Sequence, residues 1–363
     1  MAPTRVRKSI AANGEAASAE SCPSATVIVP VFNEEAHLER NALRLGEYLE
    51  SIADRFDCEV LFVDDGSSDS SPGILDRLEA EHSRFRVIHH VRNSGLCQAM
   101  KTGFANCKGT YAVTIDSDLS YSPDHIERLL EHIVKTGAEV VLASPYMEGG
   151  KSVNVPKDRL RASRWANWFL SKVSPEKLST FTGMVRAYDV QFLRSLDLKS
   201  KGMDVNPEII YKTILLRGRV EEIPGCLDWT ELNDPDGAPR RKSFAVPWHT
   251  LAILFSGFVF RPFLFFFVPG LAIGVVAVVA AILTFIHMVG HALDMVGGSF
   301  AGNLYLAFTG TFEEHSYAYF ITALLTVMSI QLLSLGFLSM QSKRYFEEIF
   351  HLGTSVHRRQ LER

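Results

Sequence analysis

From Thr26 to about Phe244, short apolar runs alternate with stretches in which large apolar residues return every three or four positions. "TVIVPVFNEE" reads as a strand. A helix follows near His37–Ala53, with Leu38, Leu43, Leu45 and Leu49 recurring along it. "CEVLFVDDGSSD", "FRVIHHVRNSG", "TYAVTIDSD" and "AEVVLASPY" read as four more strands, with helices between them near Pro72–His82, Leu96–Asn106 and Ser122–Thr136. Continuous Val/Ile runs alternating with helical patterns predict an α/β domain built on a mostly parallel sheet covered on both faces. Such sheets bind ligands at the carboxyl ends of their strands. The clusters Asn33-Glu34, Asp64-Asp65 and Asp116-Ser117-Asp118 each fall at such an end.

After Phe244 the pattern changes. Pro262–Val289 carries no Asp, Glu, Lys or Arg and is longer than the ~20 apolar residues that cross a bilayer. Tyr317–Met340 is a second such run. The sequence thus predicts two transmembrane helices within 262–341 joined by a short external loop, with Pro269-Gly270 kinking the first near its start. Arg240, Arg241, Lys242 and Arg261 precede the first run, and Lys343, Arg344, Arg358, Arg359 and Arg363 follow the second. The loop between holds Asp294, Glu313 and Glu314 and no Lys or Arg. By the positive-inside rule the domain at 25–243 and the basic tail at 342–363 are cytoplasmic. The expectation is an integral, multi-pass protein of a bacterial inner membrane or its equivalent. "SFAVPWHTLAILFSGFVF", with Trp248, suits a juxtamembrane segment over 244–261 lying in the interface; a first buried turn of the same membrane helix is the competing reading. Residues 1–24 are small, polar and partly basic without an apolar core, and read as a flexible tail.

The 363 residues carry a net charge of −4, which gives no general basicity for nucleic acid. Five cysteines, at 22, 58, 97, 107 and 226, form no C-x-x-C pair, so reduced thiols are expected. No G-x-G-x-x-G follows the first strand and no G-x-x-x-x-G-K-[ST] occurs, which argues against a dinucleotide dehydrogenase and a P-loop ATPase.

An isolated D-x-D is most often a turn. Here Asp116 and Asp118 follow a buried-looking strand, whose alternation would send both carboxylates the same way. Two hard oxygen ligands suit Mg2+ or Mn2+ bridging a diphosphate. Asp64 and Asp65, before Gly66-Ser67-Ser68, can accept hydrogen bonds from a base or ribose, or close an Asx turn. His89-His90 reads as structural, and Trp165 and Trp168 as packing or interface anchors.

"VIVPVFNEE", "LFVDDGSSD", "RNSGLCQAMKTGF" and "TIDSDLSYSPDHI", in that order, resemble the family 2 glycosyltransferases of the GT-A fold. "SPYMEGGKSVNVPKDRLRASRWAN", "FTGMVRAYD", "NPEIIYKTILLRGRVEEIP" and the basic "RRKS" before apolar helices are similar to the polyprenyl-phosphate glycosyltransferases, of which dolichyl-phosphate mannose synthase is the best known. The resemblance covers about Thr26 to Ser243. It implies that Pro30, Phe32 and Glu34 contact the nucleotide, with Phe in the place of the usual Tyr, that Asp65 beside Asp64 lies near the base, and that Asp116 and Asp118 hold the metal. Ser120 stands where the family often has Gln. Arg159 and Ser163 match residues that hold the acceptor phosphate, and Arg240 or Arg241 a juxtamembrane Arg that closes over the donor diphosphate. One departure concerns the acceptor: Pro145 stands where the family usually has Arg, with Arg161, Arg164 or Lys151 as substitutes for that charge.

The implied reaction is metal-dependent, inverting transfer from a UDP- or GDP-sugar to a dolichyl- or undecaprenyl-type phosphate at the cytoplasmic membrane face. Two other readings stand beside it. One is a membrane glycosyltransferase with a glycolipid or polysaccharide acceptor, although Arg161 precedes Arg164-Trp165 where a processive synthase has the Gln of Q-x-x-R-W. The other is an inactive GT-A scaffold, against which the intact Asp116 and Asp118 argue. The state of association, a homo-oligomer included, stays open.

Overall fold

The computed structural model describes residues 22–200, 202, 204–230, 261–294 and 300–361. Its first part alternates strand and helix: β1 (Ser24–Val31), α1 (Leu38–Ser51), β2 (Asp57–Asp64), α2 (Ser71–Glu81), β3 (Phe85–His89), α3 (Leu96–Ala105), β4 (Tyr111–Thr114), α4 (Asp124–Thr136) and β5 (Val140–Ser144). β6 (Lys151–Val153), α5 (Lys157–Val173), β7 (Arg186–Asp189), α6 (Val190–Arg194), α7 (Val205–Leu215), β8 (Val220–Pro224) and β9 (Cys226–Asp228) complete it.

Seven strands form one sheet in the order β3-β2-β1-β4-β7-β5-β8. All its pairings are parallel except those of β7, which runs antiparallel between β4 and β5. β6 and β9 make a separate two-stranded parallel sheet. The apolar run of β2 is buried from Val60 to Val63, as a strand covered on both faces requires.

Helices take the two faces by their apolar phase. In α4, Ile126, Leu129, Leu130 and Ile133 return at helical spacing and are all fully buried, each contributing about 1.5–3 kcal/mol of transfer free energy. Gly137 ends that helix in the left-handed region at φ 61°, where a residue with a Cβ is strained. α1, α2 and α4 cover one face, around Leu45, Leu75 and Leu129. α3 and α5 to α7 cover the other, around Met100, Leu170 and Ile209. The five cysteines are all free.

Beyond this domain lie α8 (Pro262–Leu293) and α9 (Phe300–Leu361). By length and composition Pro262–Leu293 and Gly302–Phe346 can each cross a membrane, and only 11% of the most apolar window of each is buried, unlike a core helix of a soluble protein. They pack antiparallel. A Cβ on Gly274 would meet Ser329, one on Gly270 would meet Leu332, and Phe267 touches Phe337 edge-on. α8 is a single helix through Pro269, and Ser329 Oγ donates to the Gly270 carbonyl at 2.8 Å. The first turn of α8 is anchored in the domain: Leu264 packs on the second core and Phe265 meets Phe169 of α5 at 6.2 Å between ring centres.

The link between the apolar runs differs from the loop expected. Glu313 and Glu314 lie in helix, and α9 breaks at His315 (φ −130°, ψ 38°). Phe312 and Phe320 have ring centres 5.9 Å apart, and Phe308 and Tyr319 5.6 Å. A straight helix would separate those positions by ~12 and ~16 Å along its axis. The stretch before His315 therefore folds back against the one after it, and Thr311 Oγ1 lies 2.8 Å from the Tyr319 hydroxyl.

Candidate active site

β1 has β2 and then β3 on one side and β4 on the other. The order of strands reverses there, and the crevice at the carboxyl ends of β1 and β4 is where an open α/β sheet takes its ligand. Pro30 lies near the end of β1, Phe32 just beyond it is 43% exposed, and Asp116 and Asp118 follow β4.

The loop after β1 is stitched to the loop after β2. Asn33, at φ 55°, donates its N–H to Ser67 Oγ and accepts the Ser68 N–H on Oδ1 at 2.8 Å. The Glu34 N–H donates to Ser71 Oγ at 3.0 Å. This lattice holds Phe32 and Glu34 at the crevice and explains the Ser/Asp-rich spacing after Asp65.

Asp64 and Asp65 are both buried. Asp64 accepts the Ser67 N–H on Oδ1, the Asx-type turn, and meets His89 Nδ1 on Oδ2 at 2.8 Å. Asp65 Oδ1 faces His90 Nδ1 at 2.7 Å and accepts the Ser94 N–H, while Oδ2 accepts the Gly95 N–H at 2.7 Å. A carboxylate has about four acceptor positions, and protein donors take three on Asp65 and two on Asp64. The histidines are structural, as expected, in a specific sense: each orients one acid, and His90 is itself held by Thr102 at 2.9 Å. Burial pulls the His89 pKa down, but the bonds to Asp64 and Asp76 outweigh it and raise the pKa above its ordinary value.

β4 stops at Thr114, so strand alternation does not reach the two aspartates. A turn carries them instead. Leu119 takes φ 49°, its N–H donates to the Asp116 carbonyl, and the Ser120 N–H donates to Asp118 Oδ1 at 2.9 Å. Both acids are half-buried. Burial and then the Asp116 charge push the Tyr121 phenol far above its ordinary pKa. Two elements brace the turn. Asn41 of α1 donates to the Ser117 carbonyl at 2.9 Å, and Asp228 at the end of β9 donates its N–H to the Ser120 carbonyl.

On α5, Arg159 and Ser163 stand one helical turn apart. The Arg159 guanidinium lies over the Trp229 ring at 5.2 Å. Ser163 Oγ accepts from the Tyr146 hydroxyl at 2.7 Å and more weakly from Asn167 Nδ2 at 3.4 Å. Its lone pairs being used, its own proton is left to donate. Pro145 offers no charge, and Lys151, Arg161 and Arg164 are exposed. Arg240, Arg241, the segment with Trp248 and the tail over 1–21 lie outside the described residues.

Three residues of this region escaped the sequence reading. Asn41 is a polar residue in the buried phase of α1, between Leu38 and Leu45, and that was its signal. Tyr146 gave none. Arg186 is wholly buried and donates to the carbonyls of Phe181, Gly183 and Asn206, tying the loop before β7 to α7; burial pushes its pKa down. An Arg inside a short strand was the mark it left.

The model of the family described as "Glycosyl transferase family 2" matches residues 26–196. The undecaprenyl-phosphate mannosyltransferase of Micrococcus luteus is 33% identical over 204 residues, which are 54% of this chain and 80% of that protein. The chain belongs to glycosyl transferase family 2. Another relative of this family 2 glycosyltransferase is the polyprenol monophosphomannose synthase of Mycolicibacterium smegmatis, 30% identical over 54% of this chain and 75% of that one. Among solved structures, glucosyl-3-phosphoglycerate synthase from Mycobacterium tuberculosis, in complex with Mn2+, UDP and phosphoglyceric acid, matches at TM-score 0.46 and 20% identity, over 65% of this chain and 78% of that one. The mostly parallel sheet covered by helices on both faces is the α/β architecture expected.

Proposed function

We propose that this glycosyltransferase moves a sugar from a nucleoside-diphosphate sugar to a polyprenyl phosphate, at the membrane face on which its N-terminal domain lies. The observation that carries the reading is the Asp116–Asp118 turn after β4, beside the carboxyl end of β1 from which Pro30, Phe32 and Glu34 come. The printed names of the Micrococcus and Mycolicibacterium relatives point to a polyprenyl-phosphate acceptor. The contact of α5 with the first turn of α8 supports a lipid one, because it ties the helix that carries Arg159 and Ser163 to the start of the first apolar helix.

The donor set at the turn fits a divalent cation. Asp116 and Asp118 offer hard carboxylate oxygens, and among the described residues no cluster of three or more His, Cys, Asp or Glu side chains gathers to enclose a metal. Two carboxylates leave the remaining positions to a diphosphate and water, which suits Mg2+ or Mn2+. When bound, such an ion neutralises charge on the diphosphate as it leaves.

The chain's own residues do the rest. Phe32 and Glu34, held by the Asn33–Ser68 lattice, line the nucleotide side, with Asp64 and Asp65 behind them. Arg159 is positioned over Trp229 to meet an acceptor phosphate, and the Ser163 proton donates to one of its oxygens. A phosphate monoester is already anionic near neutral pH, its second pKa being about 6. Its oxygen attacks the anomeric carbon without a strong general base, and a single in-line displacement inverts that centre. Arg240 and Arg241, just before the first membrane run in sequence, are proposed to steady the departing diphosphate.

Purified full-length protein with labelled UDP- and GDP-sugars, a polyprenyl phosphate and Mn2+ tests the reading. Label entering the organic phase only with lipid phosphate present is the expected result. Diphosphate release without lipid labelling would overturn the acceptor assignment.

A further inference from the structure

The outer face of α5 carries a pattern that the transfer reaction does not use. Arg161, Trp165, Trp168 and Lys172 follow one another at steps of four, three and four residues and so share one side of the helix. Trp165 is 44% exposed and Trp168 58%. Arg161, Arg164 and Lys172 are exposed beside them, so two indoles are bracketed by cations at both ends. The opposite side of the helix, with Ala166, Leu170 and Val173, is buried in the domain.

The position of this stripe narrows its partner. The Trp165 ring stacks on Phe169 at 5.7 Å with 8° between the planes, and Phe169 meets Phe265, the fourth residue of α8. The exposed Trp165 indole is thus linked through Phe169 to the first turn of α8, and Trp168 lies one helical turn from it on the same face. Trp belongs in the headgroup zone of a bilayer, where its apolar ring and polar N–H are both satisfied. Long basic side chains beside it reach lipid phosphates while their stems stay on apolar surface.

We infer that the Arg161–Trp165–Trp168–Lys172 face of α5 lies on the bilayer surface, its indoles among the lipid headgroups and its cations on anionic lipid phosphates. The inference rests on α8 being a membrane span. Contact with a second copy or another protein is the rival. Continuity with α8 and the cations at both ends favour lipid.

Tryptophan fluorescence of the full chain in vesicles tests it, since its four indoles sit at 165, 168, 229 and 248 and none lies in the apolar helices. Vesicles contain phosphatidylcholine brominated near the headgroup end of its chains, with or without phosphatidylglycerol. The W165F/W168F variant is expected to lose about twofold or more of the bromine-quenched emission, as two interfacial indoles are removed. W248F is expected to keep the share that belongs to α5. Phosphatidylglycerol is expected to increase quenching in the wild type and less so in R161E/R164E. If protein that floats with the vesicles shows equal quenching in the wild type and W165F/W168F, the inference is wrong and the span stands. If the wild type does not float with them, the span itself is wrong. Acrylamide quenching of the wild type gives a reading free of any folding defect: shielding in vesicles relative to detergent is expected, and equal access overturns the proposal.

Discussion

His90 Nδ1 lies 2.7 Å from Asp65 Oδ1, the same oxygen that accepts the Ser94 N–H. One buried carboxylate therefore fixes the end of β3, the loop after it and, through Gly95, the start of α3. An Asn here presents one oxygen and one donor group to three donors. Asp65→Asn is expected to destabilise the domain by about 1.5–3 kcal/mol, the usual worth of a hydrogen bond to a charged group. Denaturant unfolding of the variant measures it, and an unchanged midpoint would show that the network is dispensable.

His89 makes stability depend on pH. Its folded pKa is raised, so protonation favours the fold. Its contribution is complete below the ordinary value of 6.5 and is lost as pH rises through the raised folded value. Wild-type Tm should fall as pH rises above the ordinary imidazole value of 6.5 more steeply than that of His89→Phe. Parallel Tm profiles would remove His89 from the account.

Asp118→Asn keeps the shape of the turn after β4 and the acceptor for the Ser120 N–H but removes a charge. Transfer is expected to fall by about 10²–10³-fold, the range for removal of one group that stabilises charge developing in a transition state. Mn2+ binding by the purified protein, followed by paramagnetic resonance, should weaken in parallel. Full transfer with weakened Mn2+ binding would separate the aspartates from the chemistry.

Gly66 stands at φ 69°, and a Cβ there would lie 2.4 Å from the Arg92 carbonyl carbon. Backbone cannot move aside as a side chain can. Gly66→Ala is expected to cost more than the ~1–2 kcal/mol of the left-handed conformation alone. Unfolding midpoints compared with Gly73→Ala, which meets nothing within 4 Å, isolate the effect.

Between the long helices, Ser329→Ala removes one hydrogen bond and should cost only ~0.6 kcal/mol, typical of such bonds within membranes. Gly274→Leu is expected to cost more, since its Cβ would already lie 2.7 Å from Ser329 Oγ. Reversible unfolding in mixed micelles ranks the two. The opposite ranking would mean that polar contacts, not close approach, hold the pair.

Much of this was legible in the sequence because period and punctuation agreed. The runs ending at Val31, Asp64, His89, Thr114 and Ser144 are strands, and the acids fall at their carboxyl ends. What stayed hidden has physical reasons. β7 enters the sheet antiparallel between β4 and β5 as four residues that include Arg186, too short and too polar to show as an apolar run. β6 and β9 are three residues each and find one another across more than seventy positions. The Asp116–Asp118 pair depends on Leu119 adopting a conformation that its side chain does not advertise. His315 reverses a helix with no Gly or Pro beside it, so the usual signal of a turn was missing.

That reversal at His315 gives the apolar half of the molecule unequal ends. Near the domain, α8 and the stretch after His315 lie against each other as a pair, with Phe267 on Phe337; at the other end the stretch before His315 adds further rings to the pair. The corner is thus held by the rings of Phe308, Phe312, Tyr319 and Phe320, and its direction depends on aromatic packing rather than on a residue that fixes the backbone.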